Sequence, residues 1–247
     1  MCTVTYIPKG ENEFILTSNR DEAPSRSPKD LSTEALDSGK ILFPKDTKAG
    51  GTWIAVSSQN QVACILNGAF KKHSHRPPYK MSRGKMVLDI FKEKSALDYF
   101  NQFDLEGMEP FTLVFYDKGN LWEFRWDEQM FHQTPLPVDS PRIWSSSTLY
   151  PPEMQEKRET YFNSWLQKNH SPNREEILHL HRTGGVGDSR YDYVMNRENI
   201  VRTVSITSIQ KKSDEVHMKY FDLLGEDPQK SIEDQIEIKP GFFQPTF

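Results

Sequence analysis

Short runs of β-branched and aromatic residues separated by turn chemistry mark the first third of the chain. Cys2 to Pro8 and Phe14 to Ser18 are two such runs, and Lys9-Gly10-Glu11-Asn12-Glu13 between them is a turn signal. The pattern predicts an antiparallel hairpin centred near Glu11, with Cys2 roughly opposite Arg20. Gly50-Gly51-Thr52-Trp53 leads into a strand at Ile54 to Ser57, and another runs from Val62 to Leu66, closed by the turn-prone pair Asn67-Gly68. The period then becomes helical: Met86, Val87, Ile90 and Phe91 share one face, with Ser82 placed to cap it. A second short helix is expected from Ser95 to Phe103. Strands return at Phe111 to Tyr116 and Leu121 to Trp126, around a Lys118-Gly119-Asn120 turn. Pro151-Pro152 opens a helix over Glu153 to Gln167, and Pro172 to His181 begins another. A last hairpin joins Val201 to Ser208 with Val216 to Phe221. Residues 226–247, charged and Pro-containing, read as a peripheral tail. Hairpins at both ends with helices between them define an α+β class, helices packed on antiparallel sheets.

Composition narrows the functional classes. The 247 residues suit one domain spanning 1–247 with a substantial core. Hydrophobic residues make up 36%, and no apolar run approaches the roughly 18 residues of a spanning helix, so no membrane span is expected. A formal charge of -4 gives nucleic-acid binding little electrostatic support. Two cysteines, Cys2 and Cys64, argue against a disulfide scaffold and for a reducing compartment. The N-terminus lacks the pattern of a secretory signal, so the expected location is the cytoplasm.

The chemistry sits at the start of the chain. A small residue at position 2 lets an initiator Met be removed, which would leave Cys2 with a free α-amine. That residue then carries a nucleophile and a weak base of pKa about 8 together. Alone, Cys2 reads as a small residue packed in an edge strand. Arg20 and Asp21, returned beside it by the hairpin, could lower the thiol pKa and hold the amine. Their bland reading is a surface ion pair, which contributes little. Other signals are weaker. His73 with His75, and His179 with His181, have the spacing of ligand pairs but no partner ligands, so no metal and no cofactor is expected. Cys64 lies in an apolar strand and reads as a core thiol. His181 to Gly187 lacks the spacings of a phosphate loop and reads as a flexible connection. Trp53 packs between layers or lines a pocket.

In order along the chain, Met1-Cys2, Asn19-Arg20-Asp21-Glu22, Gly50-Gly51-Thr52-Trp53 with Leu66-Asn67, Pro77-Pro78 with Ser82-Arg83-Gly84, and Pro151-Pro152 carry a resemblance. Over roughly residues 1 to 225 the chain resembles the NRDE family, also called the transport and Golgi organisation 2 (TANGO2) family. That family resembles N-terminal nucleophile hydrolases, which implies a four-layer αββα sandwich and kinship with acylases of non-peptide amides. The resemblance implies Cys2 as nucleophile, its α-amine as base, Arg20 beside the thiolate and Asp21 orienting the amine. It further implies Asn67 as oxyanion donor, with a backbone N–H near position 68 as a second. Asn19, Trp53, Ser147 and Arg202 are additional candidates for the site. Two departures stand out. The acylases space arginine and aspartate as Arg-x-x-Asp, whereas Arg20 and Asp21 are adjacent, and neighbours on a strand face opposite ways. Ser147 also stands where the family often has asparagine. The implied partner is a small acyl amide. The alternative is a haem or acyl-lipid ligand held without catalysis, a reading the family's links to haem and lipid handling imply.

Overall fold

The computed structural model describes residues 3–26, 28 and 30–239. The chain runs through β1 (Thr3–Gly10), β2 (Glu13–Glu22), β3 (Leu31–Leu36), β4 (Gly39–Pro44), β5 (Ile54–Ser57) and β6 (Gln61–Asn67). Helices α1 (Arg83–Ile90) and α2 (Ala96–Gln102) follow, then β7 (Phe111–Asp117), β8 (Asn120–Trp126), β9 (Phe131–Leu136) and β10 (Arg142–Ser145). Helices α3 (Pro152–Lys168) and α4 (Arg174–Thr183) precede β11 (Asn196–Arg197), β12 (Val201–Lys211), β13 (Glu215–Asp222) and β14 (Ser231–Glu237).

Two antiparallel sheets result. One has the order β10-β1-β2-β12-β13-β14, with β11 paired to β12; the other is the meander β3-β4-β5-β6-β7-β8-β9. They stack through a shared apolar core in which Val4, Tyr6, Phe14 and Leu16 of the first sheet join Leu42, Ile54, Val56 and Val114 of the second. Alternation then sends the other face of β1 and β2 outward, where Ile7 and Ile15 pack against Phe162 of α3 and Ile177 and Leu180 of α4. On the far side of the second sheet, Phe100 of α2 stacks on Phe111 and lies 4.5 Å from the Phe131 ring, centroid to centroid. The layers are therefore α, β, β, α, as the resemblance implied.

The local reasons match the sequence pattern. Ser82 caps α1, accepting from Lys85 N at 3.2 Å, and Ser95 caps α2, accepting from Asp98 N at 3.1 Å. Helix α4 begins with a full capping box between Asn173 and Glu176. The β1–β2 turn carries Asn12 at φ 58°, and Thr3 pairs with Asn19 across the hairpin. The position expected opposite Arg20, Cys2, lies outside the described residues.

Several expectations need correction. The segment taken for a tail supplies β14, an edge strand paired with β13 that buries Ile236. Its charge-rich sequence suits an edge strand, which needs only one apolar side. Asn67-Gly68 ends β6 but makes no hairpin; the chain leaves through both short helices before β7 returns to pair with β6. The glycine run after α4 is tethered, because the N–H groups of Val186 and Gly187 donate to Asp192 Oδ1 at 2.8 and 3.0 Å.

Candidate active site

At the end of β2 the alternation separates the two charged residues that sequence placed together. Strand β2 continues through Glu22, so Arg20 and Asp21 point to opposite faces. Arg20 enters the space between the sheets. Its Nη2 donates to Asp46 Oδ2 at 2.5 Å, its Nη1 donates to Arg26 O at 2.5 Å, and its guanidinium lies 4.0 Å from the Trp53 ring centroid. Burial lowers the Arg20 pKa and the Asp46 carboxylate opposes that, so the guanidinium stays charged. Asp21 faces the α3 and α4 layer and accepts from Tyr150 Oη at 3.0 Å and Thr203 Oγ1 at 2.5 Å. A bulge in β12 between Thr203 and Ser205 aligns Thr203 with Asp21 while Ser205 pairs with Arg20.

Between the sheets Arg20 lines a cleft of about 200 Å³. Asp46 forms one wall, from a turn in which its Oδ1 accepts from Lys48 N at 3.0 Å and Ala49 N at 2.9 Å. Asp46 Oδ2 also accepts from Arg26 Nη2 at 2.6 Å, and Arg26 Nη1 pairs with Glu22 at 2.6 Å. On the Asp46 carboxyl, burial pushes the pKa up; the Ala49 hydrogen bond and the two arginines outweigh it and hold the group below its usual range. Opposite stand Asn67, at the end of β6, and Arg83, on the first turn of α1. Arg83 donates to Pro110 O at 2.8 Å and pairs with Glu109 at 2.9 Å. The Gly-Gly turn sits where it does because Gly51 abuts α1: a Cβ there would lie 2.3 Å from Gly84 C.

The remaining candidates divide. Trp53 is buried, lines the cleft and packs between layers against Tyr220. Asn67 lines the cleft, but the Gly68 N–H expected beside it as a second donor instead reaches Pro110 O at 2.9 Å. Asn19 belongs to the scaffold: its Nδ2 donates to His181 O and Tyr193 O at 2.9 and 2.6 Å. Ser147 donates to Lys71 O at 3.3 Å and lines a separate pocket with Lys71 and Pro152. Arg202 is half-buried opposite Glu22 in the ladder and is not among the cleft-lining residues. His73 and His75 both approach Glu109 Oε1, at 3.2 and 3.4 Å. Among the described residues, no group of three or more His, Cys, Asp or Glu is arranged to hold a metal ion.

Sequence reading missed Asp46, Arg26, Arg83 and Glu109 as cleft residues. Asp46 had a signal, an Asx turn leading into Gly50-Gly51; the others are joined only by the fold. It also missed Arg158, fully buried on α3. Its Nε donates to Ser145 Oγ at 3.0 Å, its Nη groups donate to Tyr191 O and Thr3 Oγ1, and Tyr150 and Tyr193 lie 4.1 and 4.6 Å from its guanidinium.

His181, whose spacing from His179 suggests a ligand pair without further ligands, is a core histidine. Because Asn19 Nδ2 is a donor twice over, Asn19 Oδ1 accepts from His181 Nδ1 at 2.5 Å, and Nε2 accepts from the Thr5 hydroxyl at 2.7 Å. Burial, reinforced by Arg158, pushes its pKa down to about 3. The unfolded chain binds this proton near pH 6.5, so between those values it holds more protons than the native state. His181 therefore contributes stability above about pH 6.5 that is lost as pH falls toward 3, at about 1.4 kcal/mol per unit. Urea unfolding at about pH 7, 6 and 5 should show this decline, and His181→Asn should flatten it.

The fold is that of the N-terminal nucleophile amidases. An N-acylethanolamine-hydrolysing acid amidase orthologue from Caenorhabditis elegans is similar at TM-score 0.60 and 11% identity, over 84% of this chain and 92% of that one. A variant of conjugated bile acid hydrolase from Clostridium perfringens is similar at TM-score 0.56 and 7% identity, over 96% of this chain and 97% of that one. No curated protein sequence matches the chain. The family model for Transport and Golgi organisation 2 matches residues 1–236, and the chain belongs to that family.

Proposed function

We propose that the chain is an N-terminal-cysteine amidohydrolase acting on the carbon–nitrogen bond of a small acyl amide. The observation that carries this reading is the divergence of Arg20 and Asp21 beside the start of β1. Val4 and Tyr6 share the inter-sheet face with Arg20, whereas Thr3 and Thr5 share the helix face with Asn19 and Asp21. The adjacency of arginine and aspartate thus serves both sides of the entering strand. Cys2, covalently next to Thr3, needs a cation for its thiolate and a carboxylate for its amine, and the two faces offer one each.

In this reading Met1 is removed and the α-amine of Cys2 takes the thiol proton. The sulfur attacks the acyl carbon, and the oxyanion accepts from the Asn67 side-chain amide. As the intermediate collapses, the C–N bond breaks and the leaving amine takes the proton back from the α-ammonium. Water, deprotonated by the same amine, then cleaves the thioester and restores the thiol. A reducing, cytoplasmic setting belongs to this reading, since the thiol must stay reduced.

On a panel of acyl amides, Cys2→Ala should lower turnover by at least about 10³-fold while leaving the melting temperature unchanged. Undiminished turnover in that variant would refute the mechanism. Intact mass showing Met1 retained on active protein would do the same. The non-catalytic haem or lipid reading gains nothing from His73 and His75, which both bond to Glu109.

A further inference from the structure

The cleft holds as many carboxylates as arginines, yet among the described residues its buried groups without a partner are both donors. Glu22 accepts from Arg26 and from Ala23 N at 2.9 Å. Asp46 accepts from two arginines and two backbone N–H groups, and Glu109 from Arg83 with both histidines against it. The acceptors are engaged. Two donors are not: among the described residues, Trp53 Nε1 and Arg26 Nε are buried without a partner. Trp53 is only 4% exposed, and both residues line the cleft. Leaving a buried N–H unmade costs about 1–3 kcal/mol, so two in one cleft is a demand for an acceptor group. The lining charges balance, three arginines against three carboxylates, with Lys85 nearby on the first turn of α1 beside Gly50.

We infer that the cleft contains a carboxylate-recognition subsite, with the Trp53 indole N–H and the Arg26 Nε–H as its donors. A carboxylate offers acceptors to both N–H groups, which an ammonium group cannot do. The cleft, about 200 Å³, is smaller than the roughly 300–1,000 Å³ of pockets that enclose drug-sized ligands, which disfavours long acyl chains. Joined to the proposed function, on which this second half rests, the substrate is a small amide carrying a carboxylate, of the N-acyl amino acid type.

Calorimetric titration of the intact chain with N-acetylglycine, its neutral isostere N-acetylglycinamide, and inorganic phosphate tests the subsite. N-acetylglycine should bind at least about 10-fold more tightly than either of the others, in keeping with a charge-assisted pair. Trp53→Phe, which keeps a ring and removes the N–H, and Arg26→Gln, at a partly exposed side chain, should each weaken it at least about 5-fold. Equal binding of acid and amide overturns the inference, as does tighter binding of phosphate or indifference to both substitutions. Release of glycine from the acid, and of glycinamide from the amide, is followed in parallel samples. Selective binding without release leaves the subsite standing and counts against the hydrolase; release from acid and amide at equal rates does the reverse.

Discussion

Asp46→Ala lowers the free energy of unfolding by about 3–5 kcal/mol, the range for removing one partner of a buried ion pair. The effect is large because Asp46 serves two guanidinium groups and its own turn at once. Without it Arg20, buried between the sheets, keeps a backbone carbonyl and the face of Trp53 but no carboxylate within bonding distance. Asp46→Asn should be milder, since its side-chain oxygen can still accept from the turn amides. The sign of the pH dependence follows. The folded Asp46 pKa lies below its ordinary 3.8, so its stabilisation is complete above the unfolded value and lost as pH falls through the folded one. Urea titrations from neutral pH to about pH 3 should show the wild-type advantage over Asp46→Ala shrinking at the acid end.

Arg158→Ala should cost a comparable amount, at least about 3 kcal/mol, measured by the same unfolding curves. The substitution leaves a cavity between two tyrosine rings and strips donors from Thr3, Ser145 and Tyr191. Arg158→Lys should recover less than half of the loss, because one ammonium cannot reach three acceptors while lying flat between rings. The consequence for function runs through β1 and Tyr150. Arg158 holds Thr3, the residue after Cys2, and lies against Tyr150, which donates to Asp21. Turnover in Arg158→Lys should fall more than the population of folded protein does.

Much of this architecture was legible in the chain, for reasons that differ by element. The β1–β2 hairpin, the β7–β8 hairpin and the capped helices α1, α2 and α4 announce themselves through local chemistry: turn residues, alternation and N-caps. Strands β3, β9 and β14 were not read, because edge strands carry polar or Pro-containing sequences such as Phe131–Leu136, in which Pro135 needs no ladder donor on its open side. The site was half legible. Arg20, Asp21, Trp53 and Asn67 come from short motifs, and Arg20, Trp53 and Asn67 do line one cleft. The Arg83–Glu109 pair and the Asp46 bridge join segments far apart in sequence, and no local pattern encodes such a meeting. Asn19 misled for the opposite reason: it shares the motif of Arg20 and Asp21, but with Asp21 it faces the helices, where His181 occupies it.

The central claim is that Cys2 forms a bond to the acyl group. The direct measurement is intact-protein mass spectrometry on the Met1-processed chain, quenched in acid during turnover of a small N-acyl amide. The account predicts an added acyl mass that maps to the N-terminal peptide, is removed by hydroxylamine and is absent in Cys2→Ala. Turnover with no adduct on that peptide, and with an undiminished rate in Cys2→Ala, would contradict it.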